Sequence, residues 1–156
     1  METKTLHLTT KTIGPKLYLC HTQKTTLSKM MEAAEVVHEL YEVVEKSHLE
    51  VVGVMEFIYM DSTGKMDDIF TLKIGIPVKA GTINNPKFAL EELGEFKCIT
   101  YTYKGDVSKI GSVYPELITA MLKQGYRLTN QIREVYEQYI TLHEPNNSTE
   151  IQVGIL

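Results

Sequence analysis

The chain has 156 residues, of which 43% are hydrophobic and 23% charged, the composition of one globular domain with its own core. Sixteen Lys and Arg residues against 20 Asp and Glu give a net charge of -4, which argues against direct nucleic-acid binding. Cys20 and Cys98 lie in apolar segments without a C-x-x-C pair, so we expect reduced core residues. With no secretory leader and no apolar run of about 18 residues, we expect a cytoplasmic protein that does not contact membranes.

The first half of the chain predicts a strand, a helix and two more strands. Alternating aromatic and apolar residues predict a strand over 16–23. Ser28 provides an N-cap for an amphipathic helix whose apolar stripe begins at Met30. Two apolar segments, 51–60 and 70–78, are joined by turn-forming residues and predict a pair of antiparallel strands.

The second half predicts the same order of elements. A strand over 97–103 precedes a helix that either Asp106 or Ser108 can cap. Two strands over 134–141 and 150–156 follow, again joined by turn-forming residues. Each half therefore predicts a β-α-β-β unit.

The two halves also align in sequence. Sliding the chain by 80 residues places Ile13-Gly14 on Leu93-Gly94, whereas near the C-terminus an offset of 79 gives the better match. We therefore predict a single domain over 1–156 with pseudo-repeats at about 13–78 and 93–156, joined by residues 79–87 and related by a pseudo-twofold axis. The predicted fold class is α+β, with an antiparallel sheet, two helices on one face and an open ligand cleft on the other.

The duplicated β-α-β-β order resembles the GyrI-like small-molecule-binding domain. Three motifs add to this resemblance: YTYKGD at the start of the second half, R-E-V-Y at 133–136 and TEIQVGI at 149–155. The GyrI-like domain is the effector-binding domain of multidrug-responsive AraC- and MerR-type transcription activators. The resemblance runs from about Ile13 to the C-terminus and implies a pocket between the halves with aromatic walls and a buried carboxylate. Because a dozen residues before the first strand cannot form a helix-turn-helix, we expect a free-standing single-domain member of the family.

Glu150 and Tyr136 are the first candidates for ligand binding, and for catalysis if the protein is an enzyme. Alternation in the last strand turns Glu150 away from the isoleucines, which should meet the helices. A carboxylate on a partly enclosed aromatic face has a raised pKa, although a solvated glutamate is the alternative. The resemblance places Tyr136 in the pocket, on the same strand face as Glu134 and Gln138; a core tyrosine is the alternative.

The register of the strand over 51–60 leaves two arrangements open. An offset of 80 matches Glu56 to Tyr136 and turns Glu56 into the cleft, whereas an offset of 79 turns Phe57 and Tyr59 into it. The first arrangement gives two carboxylates and a phenol, which suits acid catalysis. The second gives an aromatic cage around Glu150, which suits binding and agrees better with the resemblance.

Tyr101 shares a strand face with Ile99 and Tyr103 and completes the predicted set of ligand-binding residues, although packing is the commoner role of such a position. The five histidines are scattered and form no H-E-x-x-H motif, and the chain contains no G-x-G-x-x-G or Walker loop. We therefore predict neither a metal nor a cofactor.

The leading functional hypothesis is the binding of an amphipathic small molecule, often aromatic and cationic, in transcription regulation or in the sensing and sequestration of drugs or toxins. The resemblance also implies two alternatives. One is a hydrolase that opens the cyclopropane of alkylating natural products with a glutamate and a tyrosine as acid and base; the other is a gyrase-inhibitor-like protein. Binding and catalysis need the same residue types, so the sequence does not separate them.

Overall fold

The computed structural model of the chain describes residue 6 and residues 8–156. In this part of the chain, eight strands form one antiparallel sheet and two α-helices pack on it. The strands are β1 (Thr9–Ile13), β2 (Lys16–Thr25), β3 (Glu56–Met60), β4 (Phe70–Pro77), β5 (Ala89–Leu93), β6 (Phe96–Lys104), β7 (Leu128–Gln138) and β8 (Ser148–Ile155); the helices are α1 (Ala33–Lys46) and α2 (Tyr114–Lys123). This architecture confirms the predicted α+β class. Neither described helix is long and apolar enough to cross a membrane.

The strand order shows the internal duplication directly. The sheet runs β1-β6-β8-β7-β3-β4-β2-β5. If each strand of the first half is replaced by its equivalent in the second half (β1 by β5, β2 by β6, β3 by β7, β4 by β8) and the reverse, the order is the same read from the other edge. The first strand of each half lies at the sheet edge of the other half, since β1 pairs with β6 and β5 pairs with β2. Each half is therefore β-β-α-β-β, one strand more than the sequence predicts, and the halves meet where β3 pairs with β7.

One row of paired residues shows that both helices cover the same face of the sheet. Leu72, Tyr59, Ile132, Val153 and Ile99 are cross-strand neighbours from β4 to β6. Leu72 belongs to the core beneath α1, whereas Val153 and Ile99 belong to the core beneath α2. Because directly paired residues point to the same side, both helices lie on one face, which we call the helix face; the opposite one is the helix-free face.

Several element boundaries differ from those predicted. A 3₁₀ segment precedes each α-helix, so the first α-helix begins at Ala33, five residues after the predicted cap Ser28. Asp106 caps the segment before α2, as the sequence indicates, by accepting a hydrogen bond of 2.9 Å from the Ser108 backbone amide. Residues 51–55 of the predicted strand lie outside β3, which is only five residues long, whereas β7 begins six residues earlier than predicted, at Leu128.

The pairing of residues between neighbouring strands corrects the offset that relates the two halves. An offset of 80 holds for β2 and β6, because the turns after β1 and β5 begin at the matching positions Gly14 and Gly94. Tyr18 pairs with Pro77, however, and its counterpart Cys98 pairs with Gly154, so β4 maps onto β8 with an offset of 77. The helical segment of the second half, 107–123, is three residues shorter than that of the first half, 27–46, and this accounts for the change.

Candidate functional site

The same offset of 77 applies to the two central strands. Glu56 pairs with Gly75, and Arg133 pairs with Gln152, so Glu56 maps onto Arg133 and not onto Tyr136. Neither of the two offsets considered from the sequence is therefore correct for β3.

With this register, Tyr59 is the counterpart of Tyr136, and Phe57 is the counterpart of its own cross-strand neighbour Glu134. The pseudo-twofold axis passes between Phe57 and Glu134. These four side chains share the helix face, where they surround the junction of the two halves.

Glu134 is the centre of the cluster on the helix face. Its Oε1 atom accepts hydrogen bonds from the hydroxyls of Tyr59 at 2.8 Å and Tyr136 at 2.7 Å, and its Oε2 atom accepts one from Tyr114 at 2.5 Å. The tyrosines come from β3, β7 and the first residue of α2. Three separate elements thus direct phenol donors at a single carboxylate.

Aromatic rings enclose this carboxylate. Glu134 is only 2% exposed, whereas the rings of Tyr59, Tyr114 and Tyr136 are half-buried. Phe57 and Tyr136 form a T-shaped contact with ring centroids 5.1 Å apart. The rings therefore separate the carboxylate from water while parts of their own surfaces stay accessible. We call Glu134 and the three tyrosines the tyrosine cage.

Burial controls the ionisation of the tyrosine cage. It raises the pKa of Glu134 above the ordinary value for a glutamate, although the hydrogen bonds from the tyrosines oppose this shift. Burial and the adjacent carboxylate also raise the pKa of Tyr59, Tyr114 and Tyr136, which remain protonated donors at neutral pH. A carboxylate held this way offers negative charge to a cation and accepts a proton more readily than a solvated glutamate does.

The predicted candidate Glu150 lies on the other side of the sheet. It pairs with Val135 on β7, so alternation places it opposite to the face that carries Tyr136. Its Oε1 atom lies 3.3 Å from the Lys11 ammonium and 2.8 Å from Nε2 of Gln152. The structure therefore does not bring Glu150 and Tyr136 together, and the buried carboxylate among the aromatic rings is Glu134.

Glu56 also lies on the helix-free face, where it is 1% exposed. It accepts a hydrogen bond of 3.0 Å from the Tyr18 hydroxyl, and the Lys16 ammonium lies 3.5 Å from its other oxygen. Arg133 donates to the same Tyr18 hydroxyl at 3.4 Å and stacks over Phe96, 4.1 Å from the ring centre. The arrangement with Glu56 and Tyr136 in one cleft is thus contradicted, and Glu56 belongs to a buried polar network.

The remaining predicted site residues, Phe57, Tyr59 and Tyr101, all lie on the helix face, but only the first two are near Glu134. Tyr59 belongs to the tyrosine cage and Phe57 shares its face, as the second of the two sequence arrangements proposes, although the glutamate beside them is Glu134 instead of Glu150. Tyr101 lies on the helix face two strands away from β7 and packs against the core beneath α2. The sequence did carry a signal for Glu134, because the spacing of two residues in E-V-Y puts it on the same face as Tyr136.

Both cysteines are buried and free. Burial raises the pKa of Cys20 to about 12 and that of Cys98 to about 11, so both remain thiols at neutral pH. Across residue 6 and residues 8–156, no group of three or more His, Cys, Asp or Glu side chains is arranged to hold a metal ion.

Solved structures share this fold at low sequence identity. The crystal structure of the EcmrR C-terminal domain matches with a TM-score of 0.81 and 16% identity, covering 96% of this chain and 97% of that domain. EcmrR in its complex with DNA matches with a TM-score of 0.80 and 18% identity over 96% of this chain, which spans only 57% of the EcmrR chain.

Two further solved structures share the fold, one of a protein with a bound ligand and one of a hydrolase. SAV2435 bound to tetraphenylphosphonium matches with a TM-score of 0.64 and 12% identity, covering 97% of this chain and 94% of that one. A hydrolase encoded by lin2189 from Listeria innocua matches with a TM-score of 0.67 and 15% identity, covering 96% and 91%.

No curated protein is significantly similar to the sequence. The model of the GyrI-like small molecule binding domain matches residues 9–156, which includes every strand and helix described above. The duplicated fold and this match agree with the resemblance seen in the sequence. The chain therefore belongs to the GyrI-like small-molecule-binding domain family.

Proposed function

We propose that this protein binds an amphipathic small molecule with a positive charge and that Glu134 is the counterion. The observation that carries the proposal is a carboxylate only 2% exposed whose hydrogen-bond partners are three phenols. A buried charge without a cationic partner is unfavourable, and the tyrosine hydroxyls compensate only part of the lost hydration. A cation that enters the tyrosine cage supplies the missing charge.

The aromatic rings extend the range of ligands beyond one shape. Tyrosine faces attract cations through their quadrupole and also bury the apolar parts of a ligand. Membership of a small-molecule-binding family supports this assignment. So does the structural neighbour SAV2435, whose structure contains the aromatic cation tetraphenylphosphonium. Recognition through one charge and several rings fits a sensor or a sequestering protein for drugs and toxins.

The biological role that follows is effector binding related to transcription regulation. The neighbour EcmrR, of which this chain spans 57%, was solved in a complex with DNA. The net charge of -4 argues that the present chain does not contact nucleic acid directly. We propose that it acts in the cytoplasm through its ligand, either as a regulatory module or by holding the ligand.

Titration calorimetry with tetraphenylphosphonium tests the proposal, with saturation expected at one equivalent per chain. The same protein is then incubated with a cyclopropane-bearing alkylator, and ring opening is followed by mass spectrometry. Binding without turnover supports the proposed function. Product in large excess over protein would instead favour a hydrolase that uses the Glu134 and tyrosine pair, and absence of tetraphenylphosphonium binding would contradict the proposal.

The affinity for a cation is expected to fall as the pH is lowered. Only ionised Glu134 neutralises the ligand, and burial raises the pKa of this group, so the decline begins at a higher pH than for a solvated glutamate. Below the pKa the dissociation constant rises about tenfold per pH unit. Calorimetry between pH 4 and pH 8 measures this curve. A neutral ligand such as triphenylphosphine oxide is the control, and an equal decline for both would rule out Glu134 as the origin.

A further inference from the structure

Two chain segments meet at the end of the sheet where β3 begins and β7 ends. Residues 51–54, just before β3, run along the end of β4, where the Val52 amide donates a hydrogen bond of 2.9 Å to the Pro77 carbonyl. Tyr139 and Ile140 follow β7 directly. Because β3 and β7 are antiparallel, both segments lie at the same end of the sheet, which we call the apolar end.

Large apolar side chains are exposed at the apolar end. The exposed fractions of Val51, Val52, Val54, Tyr139 and Ile140 lie between 37% and 54%. A groove of about 330 Å³ opens beside them and is lined by Pro15, Lys16, Leu17, Val52, Pro77 and Val78. Exposed apolar side chains that collect in one region of a surface are typical of contact sites for another molecule.

The internal duplication shows that the fold does not require apolar residues in these positions. At the offset of 77, Val52 corresponds to Thr129. Val54 corresponds to Gln131, and the residues that follow β7 correspond to the polar segment 61–63. The opposite end of the sheet is therefore built with polar side chains where the apolar end has valine, tyrosine and isoleucine.

The same comparison shows an open strand edge at the apolar end. In the second half, the Asn130 carbonyl accepts a hydrogen bond of 2.9 Å from the Asp61 amide, and the Asn130 side chain donates to the Asp61 carboxylate at 2.8 Å. Gly53 is the counterpart of Asn130, but its carbonyl accepts no backbone hydrogen bond from residue 6 or residues 8–156. An exposed strand edge flanked by apolar side chains is suited to pairing with another strand.

We propose that residues 51–54 form the centre of a homodimer interface, in which this segment pairs antiparallel with the same segment of a second copy. A twofold axis places the apolar end of one copy against that of the other, so the contact is self-complementary. Charge favours the same partner. Glu50 and Lys79 flank the segment, with their charged groups 3.4 Å apart and about two-thirds exposed. One acidic and one basic group on each copy pair crosswise, whereas a partner of uniform charge is repelled by one of them.

Sedimentation equilibrium of the ligand-free protein between about 1 and 100 µM tests the proposal, and its outcome does not depend on the proposed function. Wild-type protein is expected to dimerise. Val52→Glu brings a carboxylate from each copy into the apolar contact and should weaken dimerisation by at least about 100-fold. Ile69→Glu is the matched control, because Ile69 is 69% exposed in the loop at the opposite end of β3, and it should leave the dimerisation constant unchanged.

Exchanging the flanking charges provides a second test that leaves the apolar side chains intact. Glu50→Lys places only positive groups beside the segment and should weaken the dimer by about threefold, and adding Lys79→Glu should restore it. Wild-type protein that stays monomeric at about 100 µM would overturn the proposal. So would a Val52→Glu variant that dimerises like wild type, an equal loss in Ile69→Glu, or a double charge variant no tighter than Glu50→Lys alone.

Discussion

Replacing Glu56 by leucine is expected to destabilise the folded protein by about 3 kcal/mol or more. The Glu56 side chain is 1% exposed, so the variant removes a fully buried carboxylate. Tyr18, which has no exposed surface, loses the acceptor of its hydroxyl, and Arg133 loses the negative charge beyond that hydroxyl. Removing one member of a buried ionic network leaves the others without compensation. For a chain of this size, thermal unfolding should shift downward by roughly 10 °C.

Two further variants test the origin of this loss. Glu50→Leu removes an exposed partner of Lys79, with both side chains about two-thirds exposed, and should change stability by less than about 0.5 kcal/mol. Adding Arg133→Met to Glu56→Leu should recover part of the stability, because the second substitution removes the uncompensated charge. Strictly additive losses in this double-mutant cycle would show that the two charges are not coupled through Tyr18.

The fold was largely predictable because its central elements follow simple periodicities. Alternating residues predicted the central strands, and apolar stripes predicted both helices. The missed strands β1 and β5 are edge strands, TTKTI and ALEEL, which carry no apolar alternation; β1 is mostly exposed and β5 is partly buried. Each is paired by the opposite half of the chain, so the contacts that stabilise them are long-range and leave no local signal.

The site was less predictable than the fold because two features of it, the offset between the halves and the sheet face that carries the site, change with a shift of a few residues. An incorrect offset of two or three residues between the halves changes which side chains meet at the pseudo-twofold axis. Glu134 and Glu150 lie on adjacent strands but point to opposite faces, since Glu150 pairs with Val135. Alternation places Glu150 correctly on the helix-free face, but the predicted cleft on that face also includes Tyr136 and therefore Glu134, which both lie on the helix face. Alternation within one strand does not say which of its two faces meets the helices. That choice depends on Tyr114 of α2, whose approach to β7 is a tertiary contact.

The ionisation of Glu134 predicts a stability difference that is independent of any ligand. Burial raises its pKa in the folded state, so its contribution to stability is fully present below the unfolded value of about 4.3 and is lost as the pH rises through the folded value. Glu134→Gln cannot ionise and does not undergo this loss. The variant should therefore gain stability relative to wild type between pH 4 and pH 7, measured by urea unfolding. A difference independent of pH would contradict the raised pKa.

Replacing Glu134 by glutamine is expected to weaken tetraphenylphosphonium binding by about 30-fold to 100-fold, because a buried charge pair is lost while the side-chain shape is kept. The matched control is Glu150→Gln on the opposite face, where Lys11 already neutralises the carboxylate, and it should leave the affinity within about twofold. Neutral triphenylphosphine oxide separates charge from packing. If Glu134→Gln weakens the neutral and the cationic ligand equally, Glu134 acts through packing and hydrogen bonding. A loss confined to the cation would establish Glu134 as the counterion within the tyrosine cage.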